Sequence, residues 1–326
     1  MGMLLEGRWS DENAPRTRRD GRFVRAESHF RKRVSADGSS GFEAAAGRYH
    51  LYVNRGCPWA YRALLYRSLK RLEGAISLSA TLPGMGRQGW EFGDGPGSGE
   101  DPIHGARYLH EIYTAADPGY TGRVTVPVLW DRETATIVNN ESSEIIRMLN
   151  GEFGALGNDL DFYPEPCRAE IDEVNDYVYD HVNNGVYKAG FAATQEAYEA
   201  AFDWVFEGLD HLEARLAERR YLVSDRISEA DWRLFASLVR FDAAYYTQFK
   251  CNRQRLVDYP NLWAYTRELY AVPGVAPTVD LAHIKGIYFG GATNPDPRRI
   301  LPRGPELDFD APHDRDRVGP PDARFA

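Results

Sequence analysis

The stretch Arg48-Tyr49-His50-Leu51-Tyr52-Val53-Asn54-Arg55-Gly56-Cys57-Pro58-Trp59-Ala60 decides the fold. Tyr49, Leu51 and Val53 alternate with His50, Tyr52 and Asn54, the period of two that a strand imposes on its side chains. The strand ends at Arg55-Gly56. Pro58 then opens a segment, Trp59 to Leu72, in which Ala60, Leu64, Leu65 and Leu69 recur at helical spacing. Proline costs a helix nothing at its first position, where the missing N–H has no intrahelical partner. Cys57 is therefore expected at or just before a helix N-terminus. The helix dipole and the unpaired N–H groups there stabilise a thiolate, and such thiols drop from a pKa of about 8.5 to roughly 3.5–7.5. Arg55 and Arg62 add positive charge nearby in the sequence. A lone cysteine is more often a small buried apolar residue, but a strand end turning into a helix exposes the sulfur, and the reactive reading is preferred.

A dithiol site would need a second cysteine at position 60, where the chain has Ala60. Cys57 must therefore act as a monothiol, and a mixed disulfide formed on it is resolved by a second small thiol from outside. The other cysteines, Cys167 and Cys251, lie in helical patterns and read as buried packing. Three widely spaced cysteines cannot build a disulfide framework, which points to a reducing, cytoplasmic compartment.

Beyond the first helix, Ile76 to Leu82 reads as a strand, followed by a glycine-rich loop through Gly99 that contains Trp90 and Phe92, aromatics a solvated linker does not need. Strands resume at Val124–Trp130 and Thr134–Val138. Pro127 is awkward inside a paired strand unless it lies at an edge or follows a cis bond. In a thioredoxin-like sheet a cis proline exposes the backbone of the preceding residue to a bound peptide thiol, which makes Val126 and Pro127 candidate ligand contacts. Asn139-Asn140-Glu141-Ser142 caps a helix carrying Ile145, Ile146 and Leu149. Glu141 and Ser142 serve as capping groups, or hold the ammonium and carboxylate that the γ-glutamyl end of glutathione carries on one carbon.

After Tyr163-Pro164-Glu165-Pro166 the strand signals vanish. Helical patterns fill 166–187, 195–220, 229–247, 260–271 and 275–285, and Ser228 with Asp231 forms an N-terminal capping arrangement. The expected organisation is a polar arm over 1–45 and an α/β domain built on one mixed sheet over 46–152. An all-helical domain over 165–285 and an extended, proline-rich tail over 286–326 complete it.

With 326 residues, 43% hydrophobic and 27% charged, the chain buries enough apolar surface to offset its ordering entropy and suits two domains. A net charge of −9 supplies no footprint for nucleic acid. No run of about 18 apolar residues exists to cross a membrane, and the first residues lack a signal peptide. The eight histidines show no His-x-x-x-His pair, so no metal is expected. Gly84 to Gly99 lacks the Gly-Lys-Ser/Thr ending of a phosphate loop. Asp210 and Glu213 read as a solvated helix face. Basic residues are mostly arginine, with lysine only at Lys32, Lys70, Lys188, Lys250 and Lys285. That bias hints at a GC-rich genome and keeps another small thiol, mycothiol, open beside glutathione.

Four motifs carry a resemblance: Cys57-Pro58-Trp59-Ala60, Thr125-Val126-Pro127-Val128-Leu129-Trp130-Asp131, Ile137-Val138-Asn139-Asn140-Glu141-Ser142 and Val182-Asn183-Asn184-Gly185-Val186-Tyr187-Lys188-Ala189-Gly190-Phe191. With Ala230 to Phe235, Arg240 to Asp242, Phe249 to Asn252 and Asp258 to Trp263, they make the chain from about Phe30 to Pro305 resemble the glutathionyl-hydroquinone reductases. These are the Xi class of the glutathione transferase superfamily. The resemblance implies a thioredoxin-like domain followed by a helical one, usually in a homodimer, that reduces glutathionyl-hydroquinones. Cys57 would be the nucleophile, Trp90, Val126, Glu141 and Ser142 would hold glutathione, and Tyr187 and Tyr288 would sit over the aromatic substrate. The sequence departs from the family at Tyr61, often histidine there. It departs again at Gly286-Ile287-Tyr288-Phe289-Gly290-Gly291, which lacks the usual Ser-His. A conjugating transferase and a thiol-binding scaffold without catalysis are the competing readings. A scaffold would not need Cys57.

Overall fold

The computed structural model describes residues 2–11, 20–292, 294 and 296–325. Its elements in chain order are β1 (Met3–Leu5), β2 (Arg8–Ser10), β3 (Tyr49–Val53), α1 (Pro58–Leu69), β4 (Ser77–Ala80), α2 (Leu109–Ala116), β5 (Val128–Asp131), β6 (Thr136–Asn139) and α3 (Ser142–Gly151). There follow α4 (Arg168–Val178), α5 (Gly185–Gly190), α6 (Gln195–Glu218), α7 (Glu229–Arg240), α8 (Tyr246–Gln248), α9 (Pro260–Tyr270) and α10 (Leu281–Phe289). The described residues of 1–14, 27–159 and 278–302 form one compact unit, and those of 15–26, 160–277 and 303–326 form the other.

The first unit is a mixed four-stranded sheet in the order β4-β3-β5-β6. β3 runs parallel to β4 and antiparallel to β5, so Leu51 faces Leu78 on one side and Leu129 on the other. The alternation in β3 predicts one apolar and one wet face, yet all five of its residues are buried. The loop between Trp90 and Tyr108 closes the face that bears His50 and Tyr52. The Tyr52 hydroxyl donates to Asp101 Oδ1 at 2.8 Å, and His104 stands edge-on to Trp130 at 4.6 Å. α1 packs on β3 and on α3. At the end of the sheet Arg48 forks onto the buried Asp131 with two 2.8 Å bonds, which together with Thr134 hold the carboxyl below its ordinary range against burial, the largest influence, which raises it.

His50 makes this unit pH-sensitive. Its ring is fully buried, its Nδ1 lies 2.7 Å from Ser77 Oγ, and its Nε2 has no hydrogen-bond partner. Burial first, and the nearby Arg132 second, depress its pKa to about 4. The unfolded chain takes up this proton near pH 6.5 while the folded chain refuses it until about pH 4. The stabilisation is therefore complete above the unfolded value and is lost as pH falls toward the folded one. We predict that His50 accounts for about 3 kcal/mol of acid destabilisation in that window. Urea unfolding at pH 7 and pH 4.5 checks it: a His50→Gln protein that loses stability as steeply as the wild type would rule it out.

The polar N-terminal segment leans on the sheet unit through its main chain. Leu4 and Gly122 exchange both backbone bonds at 2.9 Å, while Lys32 N–H to the Val138 carbonyl and Asn140 N–H to the Phe30 carbonyl lay residues 30–32 beside β6. The strand expected over Val124–Trp130 begins only at Val128, after a cis Val126–Pro127 peptide. An element absent from the sequence reading, α2, fills the stretch after the glycine-rich loop.

The second unit is helical. Thr194 caps α6 by accepting from Ala197 N–H at 3.2 Å. Ser228 and Asp231 cap α7 as expected. Two π-helical turns, Tyr179–Asn183 and Phe241–Tyr245, interrupt what reads in sequence as continuous helix. Three expectations need correction. Glu213 is no solvated bystander: its carboxylate accepts from the N–H groups of Asn261 (2.8 Å) and Leu262 (2.7 Å) at the start of α9. The helix expected over 275–285 runs instead over Leu281–Phe289, because Asp280 caps it by accepting from His283 N–H. The tail is not merely extended: the fully buried Arg315 donates to the carbonyl of Leu216 in the last turn of α6 and to those of Arg219 and Arg220 just after it.

Candidate active site

Cys57 is the N-cap of α1, in extended conformation, with Pro58 at the first helical position. The turn does not lay the sulfur open as expected: the residue is only 7% exposed and counts among the buried ones, with α10 lying against the adjoining Gly56. The turn that presents it is built by Asn54, a fully buried residue that the sequence reading passed over. Asn54 Oδ1 accepts from the N–H groups of Gly56 (3.0 Å) and Cys57 (3.1 Å), and its amide donates to Thr81 Oγ1 (3.1 Å) and to the Leu82 carbonyl (2.9 Å). An asparagine two or three residues before a nucleophile, folding its side chain onto the backbone ahead, is a signal readable in sequence.

Gly56 is where α10 crosses this turn. A Cβ there would collide with the His283 carbonyl oxygen and lie 2.7 Å from Ile287 Cγ2. Helix α10 also brings Tyr288, 9% exposed, into the sheet unit. Gly286, read as the end of the helix, is instead the place where α10 meets Pro83, leaving no room for a side chain.

The remaining glutathione candidates are joined by α2. The Trp90 carbonyl accepts from Leu109 N–H (2.9 Å) at its start. The fully buried Tyr113 donates its hydroxyl to the Thr125 carbonyl (2.8 Å), next to Val126 and Pro127, and accepts from Asn140 Nδ2 (3.0 Å), next to Glu141 and Ser142. One phenol thus ties together both segments singled out in the sequence. The signal for α2 was present: Leu109, Ile112 and Tyr113 fall at helical spacing, and Glu111 returns to Tyr108 N–H at 2.8 Å.

Glu141 caps α3, accepting from Ser143 N–H (3.1 Å) and Ser143 Oγ (2.9 Å), while its other oxygen accepts from Ser28 Oγ (2.9 Å). Ser142 is left over. Its hydroxyl, 2% exposed, has no hydrogen-bond partner, and neither has the indole Nε1 of Trp90, 4% exposed. A buried donor without an acceptor costs about 1–3 kcal/mol. Two of them, on two of the three segments that α2 joins, fit a site built to hold the polar groups of a ligand such as glutathione.

Tyr187 belongs to the helical unit, on α5. The Arg25 guanidinium lies over its ring at 4.8 Å and donates to Asn184 Oδ1 at 2.8 Å, and Phe249 meets the ring edge-on at 5.2 Å. Arg25 is a second residue the sequence reading missed, since it lies in the arm. The other thiols are poor competitors for Cys57. Cys251 lies in a non-helical turn after α8 rather than in a helix, fully enclosed, and burial pushes its pKa up to about 12. Cys167 sits half-buried in a 3₁₀ turn rather than packed in a core. Among the described residues no group of three or more His, Cys, Asp or Glu is arranged for a metal ion, and no helix is long and apolar enough to cross a membrane.

Residues 56–152 match the family model for the glutathione S-transferase N-terminal domain, and 195–268 that for the C-terminal domain. The chain is 48% identical over 324 residues to the glutathionyl-hydroquinone reductase YqjG of Escherichia coli K12, covering 97% of this chain and 99% of that protein. It belongs to the glutathionyl-hydroquinone reductases, the Xi class of glutathione transferases. Another member, PcpF of Sphingobium chlorophenolicum, is 51% identical over 308 residues, 94% of this chain and 96% of that one. Among solved structures, the Xi-class transferase of Natrialba magadii superposes with a TM-score of 0.91 at 46% identity over 98% of both chains. The glutathione-bound structure of YqjG gives 0.89 at 46% identity, covering 97% of this chain and 99% of that one. The two units described above are accordingly the thioredoxin-like and all-helical halves of the glutathione transferase fold.

Proposed function

We propose that this Xi-class chain reduces glutathionyl-hydroquinones with glutathione, and that Cys57 is the nucleophile. In the first step the Cys57 thiolate forms an S–S bond with the sulfur of the thioether. The carbon–sulfur bond breaks, and the departing ring carbon takes a proton, leaving the free hydroquinone. In the second step a glutathione thiolate attacks the mixed disulfide, releasing glutathione disulfide and restoring Cys57. The electrons balance: one thioether carbon is reduced and two glutathione sulfurs end as a disulfide. The observation that carries this reading is the capping position of Cys57 on α1, its N–H held by Asn54, with Ala60 where a resolving cysteine would stand. A conjugating transferase usually activates glutathione with a hydroxyl rather than compete with it using a thiol.

In this reading Trp90 and Ser142 donate to glutathione, Glu141 and the Val126 main chain beside Pro127 complete its site, and Tyr187 and Tyr288 meet the aromatic ring. The unpaired Ser142 hydroxyl supports a sharp test. Ser142→Ala removes a buried hydroxyl that nothing in the protein satisfies, so stability should hold or rise. Glutathione affinity should fall by about 1.5–3 kcal/mol, the scale of a hydrogen bond to a charged group. Calorimetric titration and thermal melting on the same sample separate the two. Unchanged affinity would remove Ser142 from the site. A mass adduct on Cys57 from mycothiol but none from glutathione would replace the thiol while leaving the nucleophile in place.

A further inference from the structure

Helix α10 is fastened to the loop of Pro96, Gly97 and Ser98 through a buried side chain. His283 is 1% exposed, and its Nε2 lies 2.8 Å from the Pro96 carbonyl oxygen. A carbonyl only accepts, so Nε2 carries the proton and donates. Ser98 Oγ stands 3.5 Å from the same nitrogen and donates to the Thr81 carbonyl at 3.1 Å. From the other side Arg55 Nε donates to the Gly97 carbonyl at 2.8 Å. The loop of Pro96, Gly97 and Ser98 is thus gripped by a residue two positions before Cys57 and by a residue of α10. Gly97 adopts a φ of +71°, and a Cβ on it would sit 2.9 Å from Asp280 Oδ2, 3.0 Å from His283 Nε2 and 3.3 Å from Arg55 Cδ. The three side chains converge on a position whose positive φ and close neighbours both disfavour a side chain of its own.

His283 Nδ1 is buried without a hydrogen-bond partner. A side chain placed there for packing alone would avoid that cost, as leucine would. The Nε2 bond is what the imidazole supplies and a hydrocarbon cannot. The main chain of the same residue presses on Gly56, and Tyr288 follows five residues later on the same helix. We propose that His283 is a positioning residue. Its bond to Pro96 latches α10 to the loop held by Arg55 and so sets the placement of Tyr288 relative to Cys57. This rests on the reductase reading, in which Tyr288 meets the hydroquinone ring.

The test uses the full chain with glutathionyl-menadiol as acceptor, alongside amide hydrogen exchange without substrate. His283→Leu keeps the bulk and loses the donor, His283→Gln returns an N–H near the Nε2 position, and Gly97→Ala wedges the latch from the loop side. In His283→Leu and Gly97→Ala the KM for the acceptor should rise about tenfold, the response of a ring contact weakened equally in the ground state and the transition state. In both, kcat and the Kd for glutathione should stay within about twofold and α10 amides should exchange faster, whereas His283→Gln should restore KM to within about threefold. A folded His283→Leu protein with wild-type KM overturns the proposal. So does a loss in His283→Gln equal to that in His283→Leu, or α10 exchange identical in all four proteins. Should His283→Leu fail to fold, Gly97→Ala decides by the same criteria. A wild-type protein inert toward glutathionyl-menadiol defeats the reductase reading instead, and the exchange data alone then decide the latch.

Discussion

Replacing Cys57 by serine is expected to leave a protein as stable as the wild type, or more so, with turnover of glutathionyl-hydroquinone lowered by at least about 10³-fold. The two effects separate because the proposed reaction gives the residue a second role beside its place in the fold. As the N-cap of α1 it makes no side-chain capping bond, whereas serine is among the preferred residues at that position and contributes about 0.5–1 kcal/mol there. As a nucleophile toward sulfur, a hydroxyl that stays protonated at neutral pH cannot replace a thiolate favoured by the positive end of a helix. Cys57→Ala should be equally inactive and slightly less stable than the serine variant. Steady-state turnover with glutathionyl-menadiol, beside thermal melting, reads both quantities. Activity above about a hundredth of wild type in either variant would assign the chemistry to another group.

The largest loss of stability is expected from Asp231→Ala. This carboxylate is fully buried in the helical unit and accepts four hydrogen bonds. They come from Leu222 N–H (2.9 Å), Tyr265 Oη (2.7 Å), Ser228 N–H (2.7 Å) and Ser228 Oγ (2.7 Å). Burial pushes its pKa up, against the pull of those four donors. Truncation strands all of them at once: the loop before α7, the cap of α7 and a tyrosine of α9. The expected cost is about 4 kcal/mol, well above the roughly 1 kcal/mol expected for Ser228→Ala, which removes one donor and part of the cap. Urea unfolding of the two variants gives the comparison, and equal losses would mean that the four bonds do not act together.

What could be read from the residues follows how local the cause of each feature was. The turn at Asn54 to Trp59 and the cap at Ser228 are made by neighbours in the chain, so spacing and residue type announce them. Glu141 and Ser142 were legible as a pair, but their division of labour was not. Glu141 spends its oxygens on Ser143 and Ser28, and only the fold shows that the Ser142 hydroxyl is the one left over. Helix α2 was overlooked although its apolar residues fall at helical spacing, because eight residues make a short signal beside a glycine- and proline-rich loop. Its value lies in Tyr113, whose partners Thr125 and Asn140 are 12 and 27 residues away. Gly286 misled for the opposite reason. It looks like a helix stop by its own propensity, and it persists inside α10 because Pro83 lies against it. The cover on the second face of β3 left no local trace, since the loop that closes over His50 and Tyr52 comes about forty residues later.

The sheet unit is threaded from three separate lengths of chain, and the last of them, 278–302, follows the whole run of 160–277 that belongs to the other unit. During synthesis the thiol turn would therefore emerge long before the helix that backs it. With α10 still inside the ribosome, Gly56 has an open flank and the loop at Pro96 has no histidine to grip. A fragment ending at residue 159 would hold every strand of the sheet and Cys57 as well, yet lack the wall behind them. Sequential, domain-by-domain maturation is thus denied to this chain: the turn that carries Cys57 is backed only after nearly all of the protein has been made.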